Sequence, residues 1–136
     1  MEEKKLFVDT GAWFALADKS DQYHDQAIEI YGDLLRNYRL LTTNLIISET
    51  YTLLCRALGH HAAIRFVDNI EASPRVIKIY SDSTHEEQAI DILRQYHDQD
   101  FSYTDSVSFA VMKQYGAVKA FAFDRHFITA GFTLIP

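Results

Sequence analysis

A chain of 136 residues with 48% hydrophobic and 24% charged side chains can bury a sizeable core, which excludes a disordered or fibrous protein. The absence of an apolar run of membrane-spanning length, with the mixed-charge start Met1-Glu2-Glu3-Lys4-Lys5, argues against a membrane protein or a secretory leader, so one cytoplasmic domain over residues 1–136 is expected. The lone cysteine, Cys55, excludes an intrachain disulfide, and the net charge of −6 argues against a nucleic-acid surface built from clustered lysine and arginine.

In chain order, Leu6-Phe7-Val8 is the brief continuous apolar run of a central parallel strand, and it runs out into Asp9. Ligands of open α/β sheets gather at that end of the strands. Thr10 and Gly11 turn the chain into residues 12–17, too rich in Ala and Leu for a loop and therefore helical. Asp9 is then either the cap of that helix or a functional acid. A loop over 19–22 leads to a helix over 23–37, with Ala27, Ile28, Ile30, Tyr31, Leu34 and Leu35 at helical spacing. Residues 40–42 are a short strand. Thr43 and Asn44 are N-cap types opening a helix through Leu45, Ile46, Glu49, Leu53, Leu54 and Leu58 that stops at Gly59. Within it Cys55 reads as a small core residue.

The spacing predicts a further helix over 60–72, closed by Pro74, and a β-branched strand over 76–80. Ser83 and Thr84, each with a glutamate three residues on, predict two overlapping capping boxes for the next helix. After a polar loop over 97–103, Thr104 is the expected N-cap of a helix ending at Gly116. A buried strand over 118–123, a helical turn over 124–129 and an edge strand over 132–135 complete the chain. Short strands alternating with longer helices mean an α/β sandwich around a mainly parallel sheet.

Four acids stand apart. Glu49 stacks over Ile46 and Leu53, so it interrupts a helix face that otherwise reads as buried, with no lysine or arginine within a turn. An acid there must be paired, protonated or bound to a cation. Asp105 follows an expected cap, where the helix dipole favours it. Asp124 comes directly after Ala120-Phe121-Ala122-Phe123, at a strand end like Asp9. The two strand-end aspartates should share the carboxyl edge of one sheet, and Asp105 and Glu49, near helix beginnings, can project to it. At about 5 Å and an effective dielectric of about 20, each ionised pair would cost roughly 3 kcal/mol. A fold tolerates that only with a cation or by protonating some members. All-oxygen ligation suits Mg²⁺ or Mn²⁺ over zinc, and a hard ion among aspartates serves phosphoryl-transfer chemistry.

Phe7-Val8-Asp9-Thr10-Gly11-Ala12, Ile47-Ser48-Glu49-Thr50-Tyr51-Thr52-Leu53-Leu54, Tyr103-Thr104-Asp105-Ser106-Val107-Ser108-Phe109-Ala110-Val111-Met112 and Ala122-Phe123-Asp124-Arg125-His126-Phe127 resemble, in order and spacing, the motifs of the PIN-domain ribonucleases, especially the VapC-like toxins. The resemblance spans essentially the whole chain. It implies a three-layer α/β/α fold in which Asp9, Glu49, Asp105 and Asp124 are the catalytic acids and hold Mg²⁺ or Mn²⁺. It places Thr10 and Thr104 beside them, hydrogen-bonded to a carboxylate or to water on the ion. It implies hydrolysis of RNA, a homodimer, and neutralisation by an antitoxin.

Arg125, His126 and Lys113 are candidate RNA contacts. Asp21 with His24, and Asp100, recur near the family's motifs but read as loop and cap residues. Of Tyr23, Tyr31, Tyr96, Tyr103, Phe109 and Phe121, most read as core, with base stacking as the alternative. His60 and His61 are adjacent on a helix, point apart, and read as a surface turn. Three other functions compete: a PIN-like module that binds RNA or serves in an assembly, a housekeeping RNA-processing nuclease without an antitoxin, and an aspartyl-phosphate phosphatase. The last wants a second aspartate two residues after Asp9, where this chain has Gly11.

Overall fold

The computed structural model describes residues 3–136; Met1 and Glu2 of the charged start lie outside the described residues. Five strands, β1 (Lys5–Val8), β2 (Arg39–Thr43), β3 (Val76–Ile79), β4 (Lys119–Phe121) and β5 (Thr133–Ile135), form one sheet in the order β3-β2-β1-β4-β5. Every pairing among them is parallel. The chain moves outward from β1 through β2 to β3, then returns to the other side of β1 for β4 and β5. The gap between the ends of β1 and β4 is thus the switch point where such sheets bind ligands.

The described helices are α1 (Thr10–Ala17), α2 (His24–Asn37), α3 (Asn44–Leu58), α4 (His60–Ala72), α5 (Ser83–Gln95), α6 (Tyr103–Tyr115) and α7 (His126–Thr129). Right-handed crossovers put α1 to α4 on one face and α5 to α7 on the other, because the chain's direction across the sheet reverses after β3. The core follows. Tyr31 of α2 lies 6.5 Å from Phe121, and Trp13 of α1 meets Phe66 of α4 edge-on at 5.9 Å. On the opposite face Phe7 lies 6.1 Å from Phe127, which meets Phe109 of α6 edge-on at 5.1 Å. The Trp13 indole N–H donates to Thr42 Oγ1 at 3.3 Å, tying α1 to β2 in the buried layer. Tyr31, Phe109 and Phe121 are thus core aromatics, as expected, whereas Tyr23 and Tyr103 are exposed.

Several boundaries differ from the sequence expectation, each for a local reason. The cap of α5 is Asp82, not Ser83 or Thr84: its carboxylate accepts the His85 N–H at 3.0 Å while His85 Nδ1 accepts the Asp82 N–H at 3.1 Å. The cap of α6 is Ser102, not Thr104, and its partner in the box is Asp105. Strand β4 begins only at Lys119, leaving Val118 66% exposed, and stops at Phe121, freeing Phe123 and Asp124 to turn toward the switch point. Cys55, expected in the core, is half-buried. Helix α6 ends as expected at Gly116, whose φ of 72° belongs to the left-handed region that a side chain resists.

Candidate active site

Asp9 follows β1 directly, and its backbone N–H donates to Phe121 O of β4 at 3.1 Å, which seats it in the switch-point gap. Although Asp9 stands at the N-cap position of α1, its side chain makes no capping hydrogen bond. Capping therefore does not account for the residue. The residue is only 7% exposed. Burial pushes its carboxyl up from 3.8 to about 7, and the charges of Asp105, Asp124 and Glu49 push the same way against the neighbouring Thr10 N–H.

Asp105 is held from two sides. Its Oδ2 accepts the Ser102 N–H at 3.0 Å while its own N–H donates to Ser102 Oγ at 2.9 Å. The same Oδ2 lies 3.2 Å from His126 Nδ1. Asp124 Oδ1 accepts the His126 N–H at 2.9 Å and stands 3.4 Å from the ring nitrogen. Asp105, Asp124 and His126 thus each bring a ligand-type atom within 4.8 Å of the others. The His126 ring is fixed from behind by Phe101, edge-on at 5.2 Å.

Glu49 was expected on a core-facing stripe, and this is corrected: it is exposed, as is Leu53 one turn on, while Ile46, Ile47, Thr50 and Leu54 carry the buried face of α3. The two exposed residues form a neighbouring stripe that lines the cleft. That open cleft, about 480 Å³, is walled by Asp9, Glu49, Asp105 and Asp124 from four elements or their ends. Asp21 and Asp100 line it too. Among the described residues no lysine or arginine does, so the basic side chains do not ring the acids at close range.

The remaining expected residues divide. Thr10 lines the cleft, and its Oγ1 is buried with no hydrogen-bond partner in the protein. Thr104 does not line it; the cap residue Ser102 does. His126 is in the cleft, Arg125 is exposed at the start of α7 outside its lining, and Lys113 borders a separate cavity with Gln88, Asp91 and Gln114. Asp21, read from sequence as a loop residue, both lines the cleft and accepts the Tyr23 N–H at 3.0 Å. His24 turns away, its Nδ1 2.6 Å from Ala15 O. The recurrence of Asp21 and Asp100 beside the motifs was the signal for them.

The chemistry of this donor set fits a hard divalent ion: carboxylate oxygens from separate elements, one imidazole, an orphaned hydroxyl, and an acid raised by its burial and by the carboxylates around it. A parallel α/β/α sandwich with carboxylates lining one cleft at its switch point offers the donor set that metal-assisted phosphoryl transfer uses. The chain belongs to the PIN-domain family, whose pattern matches residues 6–132. It is 36% identical over 128 residues to the 23S rRNA-specific endonuclease VapC20 of Mycobacterium tuberculosis, covering 93% of this chain and 95% of that one. The crystal structure of M. tuberculosis VapC20, described as a sarcin-ricin loop cleaving toxin, is similar at a TM-score of 0.87 and 35% identity, over 94% of this chain and 96% of that one. VapBC2 from Rickettsia felis, solved with a promoter DNA fragment, shares the fold at a TM-score of 0.72 and 11% identity, over 96% of this chain and 97% of that one.

Proposed function

We propose that the protein is an endoribonuclease, the toxin of a toxin–antitoxin pair, which hydrolyses an RNA phosphodiester bond with Mg²⁺ or Mn²⁺ held by Asp9, Glu49, Asp105 and Asp124. The observation that carries this is the convergence of these four acids, far apart in sequence, on one open cleft at the sheet's switch point. A bound ion would supply activation of water and neutralisation of charge building on the phosphate. The protein's part is positioning. Asp105, fixed by Ser102 and His126, keeps one orientation and suits a carboxylate that aims the attacking water. Thr10 Oγ1, with no other partner, is available to donate to a neighbouring carboxylate.

The VapC20 relative, at 36% identity across nearly the whole chain, supports ribosomal RNA of the large subunit as the substrate class. The proposal extends to one domain acting in the cytoplasm, an antitoxin partner and a homodimer; among the described residues no helix is long and apolar enough to cross a membrane. Incubation of the purified protein with ribosomes and with total RNA, with Mn²⁺ or EDTA, tests it. The expected result is a single cut in 23S rRNA, seen as two discrete fragments with Mn²⁺, lost with EDTA and in Asp9→Asn. Cleavage unchanged by both EDTA and Asp9→Asn would overturn the mechanism, and binding of RNA without any cleavage would favour a module that only binds.

A further inference from the structure

Tyr23 and Phe123 form a parallel aromatic stack on the wall of the acid cleft, with ring centroids 4.2 Å apart and planes within 3°. Their roles in it differ. Phe123 is half-buried against the core, edge-on to Phe121 at 6.1 Å, and directly precedes Asp124. Tyr23 stays 37% exposed. Phe123 covers one side of the ring. The stack is aimed, because Asp21 Oδ2 accepts the Tyr23 N–H at 3.0 Å and the preceding loop is pinned by Asp18, whose Oδ1 accepts the Ser20 N–H at 2.9 Å and its hydroxyl at 2.6 Å.

Folding alone does not require this arrangement. Tyr23 stands at the N-cap position of α2 but offers no side-chain cap bond, so its ring is not what starts the helix. The cleft also poses a binding problem: six carboxylates and no lysine or arginine line it, so the usual ion pairs to phosphate are missing at close range. Affinity for a polyanion must then come from uncharged contacts beside whatever ion the acids hold. Stacking an unstacked base on an aromatic face is the main such contact for single-stranded RNA.

We infer that the Tyr23–Phe123 stack is the docking platform for one splayed-out base of the RNA, next to the phosphate that enters the acid cleft. The inference rests on the ribonuclease reading but is read out separately from it. The stack has no directed hydrogen-bond donor or acceptor from its ring faces, so it takes any base, with purines favoured for their larger surface.

The test uses the full chain carrying Asp9→Asn, which silences cleavage, with Mn²⁺ and a short single-stranded RNA whose only fluorescent base is 2-aminopurine, stepped along the sequence. At one position binding should quench the fluorescence. Adding Tyr23→Ala should abolish the quench and weaken binding about 5- to 150-fold, the equivalent of ~1–3 kcal/mol for one base–aromatic stack. Tyr23→Phe should restore both, and an abasic nucleotide at the quenched position should cost the parent the same factor while costing Tyr23→Ala nothing more. A merely structural Tyr23 would not show that non-additivity. Absence of any quench in the parent, or equal quench and affinity in Tyr23→Ala with a matching melting temperature, overturns the platform. If the unmutated chain cuts RNA and Tyr23→Ala leaves KM unchanged, the platform falls and the nuclease stands. If the unmutated chain cuts nothing while the quench depends on Tyr23, the platform stands and the nuclease falls.

Discussion

The His126 ring nitrogen Nδ1 lies 3.2 Å from the Asp105 carboxylate, a contact between α7 and α6 that brings the ends of two sequence-distant elements into one centre. With its proton on Nδ1, the imidazole donates to Asp105, and its backbone N–H donates to Asp124. It therefore fixes the separation of two acids that would otherwise repel. Substituting His126→Ala should weaken Mn²⁺ binding about 10- to 100-fold, the scale seen when a group orienting metal ligands is lost. Titration calorimetry with Mn²⁺ checks this, and an affinity equal to that of the unmutated chain would show that the ring spaces nothing.

Asp9 gives the protein a pH-dependent stability whose sign follows from its raised carboxyl, about 7 folded against 3.8 ordinarily. Between those values the folded chain keeps a proton that the unfolded chain releases, so the stabilisation is fully present below pH ~4 and is lost as pH rises through ~7. The loss amounts to at most about 4 kcal/mol by pH 8. In EDTA, urea midpoints should therefore fall from pH 5 to pH 8, and Asp9→Asn should flatten most of that slope and be the more stable protein at pH 8. Because an ion competes with the proton, Mn²⁺ should raise the midpoint of the unmutated chain more at pH 8 than at pH 5. An unchanged slope in Asp9→Asn would assign the dependence to other groups.

The strand-end acids were legible because a buried parallel strand leaves a short apolar run, and Asp9 and Asp124 each follow one closely. The caps were not. Ser83 with Glu86 satisfies the capping pattern on paper, but Asp82 and His85 make a box one residue earlier, with the imidazole where a glutamate was expected. At α6 the reverse occurred: Asp105, taken as a resident of the first turn, reaches back to Ser102, and so an acid of the cleft doubles as half of a cap. Helical periodicity put Glu49 on the apolar face because Leu53 was counted as core; Leu53 is instead exposed and walls the cleft beside it. A concave site lets apolar residues face solvent, which no pattern along one helix reveals.

Thr10 offers a clean separation of folding from function. Its Oγ1 is buried without a partner, a state that costs about 1–3 kcal/mol when nothing compensates it. Thr10→Val keeps the shape and removes the polar atom. In EDTA its melting temperature should equal or exceed that of the unmutated chain, while RNA cleavage with Mn²⁺ should fall about 10-fold, the low end for loss of a group that orients metal ligands. A drop in EDTA stability with cleavage intact would instead make the hydroxyl a structural element.

Glu49 should behave differently from Asp9 although both face the same cleft. It is exposed and contributes to Asp9 only through its charge. Glu49→Gln removes that charge without opening a cavity or burying a new group, so unfolding free energy should change by no more than about 0.5 kcal/mol. The loss of one negative charge should bring Asp9 down from its raised value, which carbon-detected NMR titration of the Asp9 carboxyl can follow. Catalysis should still suffer, because on the proposed mechanism the ion in the cleft would lose one of its oxygen donors. A decrease of at least about 100-fold in Mn²⁺-dependent cleavage, some 2.7 kcal/mol of transition-state stabilisation, is expected. If cleavage persists at the level of the unmutated chain while Asp9→Asn abolishes it, Glu49 acts as a surface charge on α3 and the ion is held by Asp9, Asp105 and Asp124 alone.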